Sequence, residues 1–290
     1  MDRLTVGGAT LLRIEETVDT SFTAEGFFPA FDPQALGPHL HWLAPRYYIA
    51  ERGALVFSMH SWLVKTGRHT VLIDACIGNG KDRMPRAHWH RLNTPFLERL
   101  RASGTTPEDV DYVMCTHMHA DHVGWNTVLE NGRWVPTFPK ARYLFSRIEY
   151  EHWAAHPDPS PIRRNAFNDS VLPIVEAGRA EMVEDGHEVD GVFTVELAPG
   201  HTPGNVHIRL VSKGSEAVFA GDVIHHPIQV YRPNWSTSAC LDPVASAASR
   251  RQLLETCCER GALLLPAHFA APHGGRVRED GDGFELQWLA

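Results

Sequence analysis

The sequence has no Cys-x-x-Cys pair, and its five cysteines (Cys76, Cys115, Cys240, Cys257 and Cys258) are odd in number. That excludes a complete disulfide framework and a cysteine-based zinc site, and leaves the cysteines as expected buried thiols. No apolar run approaches the ~20 residues needed to cross a bilayer. Glu15, Glu16 and Asp19 also stand where a secretion signal would be apolar, so no membrane partner and a cytoplasmic location are expected. Positive charge is in short supply. With 27 Lys and Arg against 35 Asp and Glu, there is too little for a broad phosphate-binding surface, and nucleic acid is not an expected partner. Low-complexity tracts are absent too, so 290 residues that are 43% hydrophobic should form a compact fold with a sizeable core. The residue present in excess is histidine, 18 in all, which directs attention to metal-ligand spacing.

Residues 1–50 read as an irregular N-terminal extension, because Pro29, Pro33, Pro38 and Pro45 exclude a long helix there. The aromatic residues among them (Phe22, Phe27, Phe28, Phe31, Trp42, Tyr47 and Tyr48) leave three readings open: core packing, a cover for the mouth of a site, or a homodimer contact. From Leu55 to Asp74 the pattern is a hairpin turning at Thr66–His69. Asn93–Ser103 reads as a helix closed by Gly104. Val110–Cys115 is a short buried strand, and Ser146 with Glu149 forms a capping box for a helix to about Ala155. A second strand-rich block covers Phe193–Leu197, Val206–Val211 and Ala217–Ala220. It is followed by a helix with Asp242 as N-cap, Pro243 in its first turn and Gly261 at its end. Ala262–Leu265 is a further strand, and residues 276–290 form a C-terminal hairpin around Gly281 and Gly283. Strands followed by a helix therefore occur twice. This pattern predicts an α/β fold, an αββα sandwich of two mixed β-sheets flanked by helices, in a single domain spanning 1–290.

The chemistry concentrates at strand ends. His117, His119, Asp121 and His122 fall within six residues directly after the strand ending at Cys115. In extended chain His117 and His119 project to one side, and Asp121 and His122 follow after the bend. Three later segments also end predicted strands on ligand-type residues: His201 in Pro199–Gly204, Asp222 after Gly221, and His268 after Ala267.

This ordered set resembles the metallo-β-lactamase superfamily, whose HxHxDH loop is followed by a His, an Asp and a His; the resemblance covers about Leu55 to His268. It implies that His117, His119 and His201 hold one metal ion, Asp121, His122 and His268 a second, and that Asp222 bridges them. The cofactor so implied is two divalent ions per chain. Zinc is the first choice for nitrogen and oxygen donors, with iron, manganese and cobalt compatible. Such a pair supplies a bridging hydroxide near neutral pH by lowering the pKa of bound water from ~15.7 toward ~7. Its surplus positive charge stabilises a developing oxyanion. Flavodiiron-type relatives would be expected to carry Glu where this chain has His119, which disfavours oxygen reduction.

His225, three residues past Asp222, is the second candidate catalytic residue beside Asp121. Imidazole there would hydrogen-bond a substrate oxygen or protonate a leaving group; the alternative is a histidine that positions its loop. In quorum-signal lactonases the comparable position looks like a tyrosine. The His here is more similar to the branch containing methyl parathion hydrolase. Asp74, ending a strand, is expected to fix the tautomer of a ligating imidazole. Lys81, Arg83, Arg86, His88, His90 and Arg91 are expected to form a solvated basic loop. Asp280–Gly283 is expected to be a turn, since a calcium loop needs different spacing. The resulting expectation is hydrolysis of a lactone or carboxylic ester of a small apolar or aromatic molecule. The runner-up is an organophosphate triesterase or phosphodiesterase. A one-iron persulfide dioxygenase and a non-catalytic metal-binding protein are disfavoured by the complete second ligand set.

Overall fold

A computed structural model describes residues 3–156 and 160–289. The chain forms two compact units, one from residues 1–17 and 59–187 and the other from 18–58 and 188–290. Each is built around its own seven-stranded mixed sheet.

In the first unit the strands lie side by side in the order Arg3–Val6, Ala9–Asp19, Phe57–Lys65, Thr70–Ile73, Tyr112–Met114, Arg142–Ser146 and Ala180–Val183. The hairpin expected from Leu55 to Asp74 is present, with Trp62 opposite Ile73 and Lys65 opposite Thr70. From Thr70–Ile73 onward the neighbours are parallel. Parallel strands are covered on both faces, which is why the stretch Tyr112–Cys115 reads as an apolar run. The helices Phe96–Ala102 and Arg147–Ala155 lie in the connections between these parallel strands. Gly104 takes φ 75° just past the first helix, and Ser146 caps the second by accepting from the Glu149 N–H.

Two expectations fail in this unit. Residues 3–19 are not irregular: Arg3–Val6 and Ala9–Asp19 form an antiparallel hairpin with Val6 opposite Ala9. Gly7, at φ 58°, makes the tight turn that a two-residue connection requires. The eleven-residue strand hides its alternation because two of its inward-facing positions are Glu16 and Asp19, both buried. Nor is the basic loop solvated throughout, since Lys81 and Arg83 are fully buried. Arg83 makes a two-pronged ion pair with Asp169 at 2.7 and 3.0 Å. The Lys81 ammonium donates to the Asp169 carbonyl at 3.1 Å and lies 3.6 Å from the centroid of the Trp134 ring. Asp169 sits in a π-helical turn, Phe167–Val171. Arg86, His88, His90 and Arg91 keep contact with solvent as expected.

In the second unit the order is Glu188–Val189, Phe193–Leu197, Val206–Ser212, Ser215–Gly221, Leu263–Pro266, Gly275–Asp280 and Gly283–Trp288. Only Ser215–Gly221 and Leu263–Pro266 pair in parallel; the helix Pro243–Arg260 joins them. Asp242 caps that helix by accepting from the Val244 and Ala245 N–H groups, and Gly261 ends it at φ 60°. Leu253, Leu254 and Cys257 turn from it into the core with Val218, Ala220 and Leu264. The C-terminal hairpin is found as Gly275–Asp280 against Gly283–Trp288, with Asp280–Gly283 as its turn. Past residue 20 the N-terminal segment has only short helices, α-helical at Ala24–Phe27, Pro33–Leu36 and Leu40–Leu43 and 3-10 at Gly37–His39 and Ala50–Arg52, in keeping with its proline content. Its aromatic side chains pack into the unit. Phe27 lies 5.0 Å from Phe57, Phe28 5.7 Å from Trp235, and Tyr47 stacks on Trp288 at 4.9 Å. Among the described residues no helix is long and apolar enough to cross a membrane.

Candidate metal centre

In the first unit the strand Tyr112–Met114 is held between two parallel neighbours. The chain leaves it as the loop Thr116–His122, so the histidines start from a rigid end. Asp74 ends the adjacent strand with its backbone in the left-handed region, φ 56°. Its N–H donates to the Met114 carbonyl at 3.0 Å. Its carboxylate accepts from the Thr116 N–H at 2.8 Å, from the Thr116 hydroxyl at 2.9 and 3.0 Å, and from His122 Nδ1 at 2.9 Å. The sequence suggested that Asp74 accepts from an imidazole N–H; the imidazole beside it is that of His122, and the further bonds from Thr116 mean that Asp74 holds both ends of the Thr116–His122 segment. The structure brings His117, His119 and His122 together, with ring centroids 4.6 Å apart for the first two and 4.1 Å for His117 and His122. Asp121 Oδ2 lies 3.9 Å from His122 Nε2.

Three supports of this loop were not foreseen. Glu149, expected only as part of a capping box, accepts from the Met118 N–H at 3.1 Å and from Trp153 Nε1 at 2.6 Å. It thereby ties the ligand loop to the helix Arg147–Ala155. Buried Glu16 accepts from the Ile77 and Gly78 N–H groups at 2.7 and 3.1 Å and from Trp125 Nε1 at 2.6 Å. Burial raises its pKa above the usual carboxylate value, with the donated hydrogen bonds opposing. Gly124 permits the close approach behind the loop, for a Cβ there would stand 1.8 Å from the Ile77 carbonyl oxygen.

In the second unit Asp222 and His268 leave parallel neighbouring strands at the same end, where Gly221 is in register with Pro266. His201 comes from the loop after Phe193–Leu197. That loop fits against the start of the long helix only because residue 200 is glycine: its φ is 128°, and a Cβ would lie 2.0 Å from the Ser246 nitrogen. The Asp222 carboxylate is shared. Oδ2 is 3.1 Å from His201 Nε2 and 3.1 Å from His225 Nε2, and Oδ1 is 3.0 Å from His268 Nε2. His225 is buried and packs edge-on against Phe27, with centroids 5.5 Å apart. Its backbone is set by Gln229, whose Oε1 accepts from the His225 and His226 N–H groups at 2.7 and 3.0 Å. Burial lowers the pKa of His225 to about 4, against the opposing pull of Asp222, so this imidazole is held neutral.

The donor chemistry fits divalent metal. His122 gives Nδ1 to Asp74, His117 to Thr116 Oγ1 at 3.2 Å, His268 to the Ser58 carbonyl at 3.4 Å, and His201 to Cys240 Sγ at 3.6 Å. Engaging Nδ1 makes Nε2 the atom that could coordinate, the way outer partners prepare imidazole ligands. The Cys240 contact was not anticipated: Cys240 and Cys258 are only partly buried, unlike Cys76, Cys115 and Cys257.

Comparison with known proteins gives a consistent picture. Residues 56–268 match the family model described as the metallo-beta-lactamase superfamily. The N-acyl homoserine lactonase AttM of Azorhizobium caulinodans is 28% identical over 205 residues, covering 63% of this chain and 71% of that protein. Among solved structures, the dizinc quorum-quenching lactonase AidC, in complex with a product N-hexanoyl-L-homoserine, superposes with a TM-score of 0.82 at 22% identity, over 100% of this chain and 97% of the other. The hydrolase AbOPH gives 0.81 at 24% identity, over 99% and 97%. The fold expected from the strand and helix pattern is the fold these structures share.

Proposed function

Because the chain belongs to the metallo-β-lactamase superfamily, we propose that it is a two-metal hydrolase that opens lactones of small apolar molecules. In this reading His117, His119, His201 and Asp222 would hold one ion, and Asp121, His122 and His268 would hold the other. The observation that carries it is the Asp222 carboxylate, whose two oxygens address His201 and His268 separately at 3.1 and 3.0 Å. A carboxylate so placed would serve two cations at once. Two divalent ions at these ligands would supply hydroxide near neutral pH and polarise the substrate carbonyl. Zinc is the metal we assign, on the all-nitrogen and oxygen donor set.

The protein's own groups then have distinct tasks. Asp74 keeps the proton of His122 on Nδ1, and Asp222 and Asp121 offset the positive charge. Neutral His225 donates a hydrogen bond to the substrate oxygen as negative charge develops there. Phe27, packed on His225, limits the water that reaches that imidazole. The 28% identity to AttM, whose name states acyl homoserine lactone cleavage, favours a lactone over an aryl ester. A second reading, hydrolysis of an aryl phosphotriester, draws support from His225 standing where quorum-signal lactonases are expected to have tyrosine. We take both units to form one catalytic domain that works in the cytoplasm.

Metal quantification on purified protein, with parallel assays on a γ-lactone, an aryl carboxylic ester and an aryl phosphotriester, tests the proposal. Two ions per chain, the highest kcat/KM on the lactone, and loss of activity with a chelator are expected. Full activity with fewer than two ions per chain would refute the two-metal mechanism, and preference for the phosphotriester would replace the substrate assignment.

A further inference from the structure

His201 differs from the other imidazoles in what holds its Nδ1. A carboxylate, a hydroxyl and a backbone carbonyl serve His122, His117 and His268, whereas His201 faces the Sγ of Cys240 at 3.6 Å. That sulfur is held from behind. It lies 3.4 Å from Thr237 Oγ1, and its S–H donates to Ser246 Oγ at 3.4 Å, which turns a sulfur lone pair toward His201. Ser246 Oγ in turn accepts from Arg250 Nη2 at 3.1 Å. Arg250 is fully buried. Its other acceptors are the Pro233 carbonyl at 3.0 Å and Ser236 Oγ at 3.4 Å, and no carboxylate pairs with it among the described residues. A buried guanidinium committed to neutral acceptors is costly unless it fixes something; here it fixes the serine that orients the thiol. The same segment also grips the His201 backbone, since the Leu241 N–H donates to the His201 carbonyl at 3.0 Å and the Asp242 N–H to that of Gly200 at 2.9 Å.

We propose that Cys240 is a positioning residue. Its sulfur accepts the Nδ1 proton of His201, keeps that imidazole in the tautomer whose Nε2 lone pair faces Asp222, and so sets the affinity for one of the two metal ions. The inference rests on the reading of His201 as a ligand. It extends that reading from the ligand to the chain Arg250, Ser246, Cys240, His201, which passes through a residue type the family's ligand motif does not include.

Chelator titration of zinc-loaded protein, with metal content followed directly, tests it on wild type, Cys240→Ala, Cys240→Ser and Cys258→Ala. Loss of an outer partner weakens metal binding by roughly 10- to 100-fold, so Cys240→Ala should release one ion at correspondingly lower chelator concentration while the other ion leaves as in wild type. Cys240→Ser keeps an acceptor and should recover most of the affinity, and Cys258→Ala should match wild type. The melting temperature of the metal-free protein should be nearly the same in wild type and Cys240→Ala, which separates positioning from packing. Wild-type affinity for both ions in Cys240→Ala, or a serine variant as impaired as the alanine one, would overturn the proposal. Wild type that fails to bind two ions would instead refute the metal-centre reading itself, before any substitution is compared.

Discussion

Replacing Asp74 with asparagine should remove metal while sparing the fold, and the hydrogen bonds show why. The carboxylate accepts on both oxygens, Oδ1 from the Thr116 N–H at 2.8 Å and Oδ2 from His122 Nδ1 at 2.9 Å. Asparagine has one acceptor oxygen. If it turns that oxygen to Thr116, its NH2 faces His122 Nδ1 and drives the ring proton to Nε2, where a ligand must be bare. If it turns the oxygen to His122, the NH2 opposes the Thr116 N–H and loosens the loop. Either way a charge-assisted hydrogen bond is lost, worth about 1.5–3 kcal/mol, and at about 1.4 kcal/mol per tenfold this weakens metal binding by roughly 10- to 100-fold. Asparagine tolerates the left-handed backbone at φ 56° as aspartate does, so gross unfolding is not expected. Metal content after dialysis and competition with a chelator report the affinity, and a thermal melt of the metal-free variant reports the fold. An Asp74→Asn protein that keeps both ions at wild-type affinity would refute this account of His122.

Three further outcomes are expected. His225→Ala should retain both ions and lose about 100-fold or more in kcat, the range for a lost positioned hydrogen-bonding or proton-transfer group; steady-state kinetics at verified metal content decide it. Burial, opposed by Asp169, lowers the pKa of Lys81 from 10.5 to about 7. Between those values the unfolded chain binds a proton that the folded chain does not, so stability rises with pH by up to about 1.4 kcal/mol per unit. Urea unfolding should show that rise flattened in Lys81→Met, and identical slopes would contradict the buried-amine assignment. Gly200→Ala would put a Cβ 2.0 Å from the Ser246 nitrogen, backbone that cannot swing aside. It should cost at least ~2 kcal/mol of stability and weaken metal binding through His201, readable as a lower unfolding midpoint in the same titration.

Contacts between sequence neighbours were legible from residue order. The helix Pro243–Arg260 carries its start at Asp242 and its stop at Gly261, and the C-terminal hairpin carries its turn at Gly281. The clustering of His117, His119, Asp121 and His122 was legible because four donor-type residues follow one strand within six positions. What escaped shares one physical cause: polar groups buried against partners distant in sequence. Glu16 breaks the apolar alternation of Ala9–Asp19 because its partners are Ile77, Gly78 and Trp125. Lys81 and Arg83 read as solvated because their partner is Asp169. Glu149 read as a helix cap because Met118, the loop residue it holds, lies on another element, and Cys240 read as one more buried thiol because the residue it touches, His201, lies 39 positions away. A periodicity window sees residue type and near neighbours, and nothing in it distinguishes a solvated charge from one committed to a partner eighty positions away. Two of these five misread side chains, Glu149 and Cys240, contact the segments that carry His117–His122 and His201 directly, and Glu16 holds the turn at Ile77–Gly78 against which the first of these segments closes at Gly124. A buried polar side chain is tolerated only when its partner is worth the desolvation, and in this chain Glu149 meets that condition at the Met118 N–H and Cys240 at His201 Nδ1, each on a segment that carries candidate ligands.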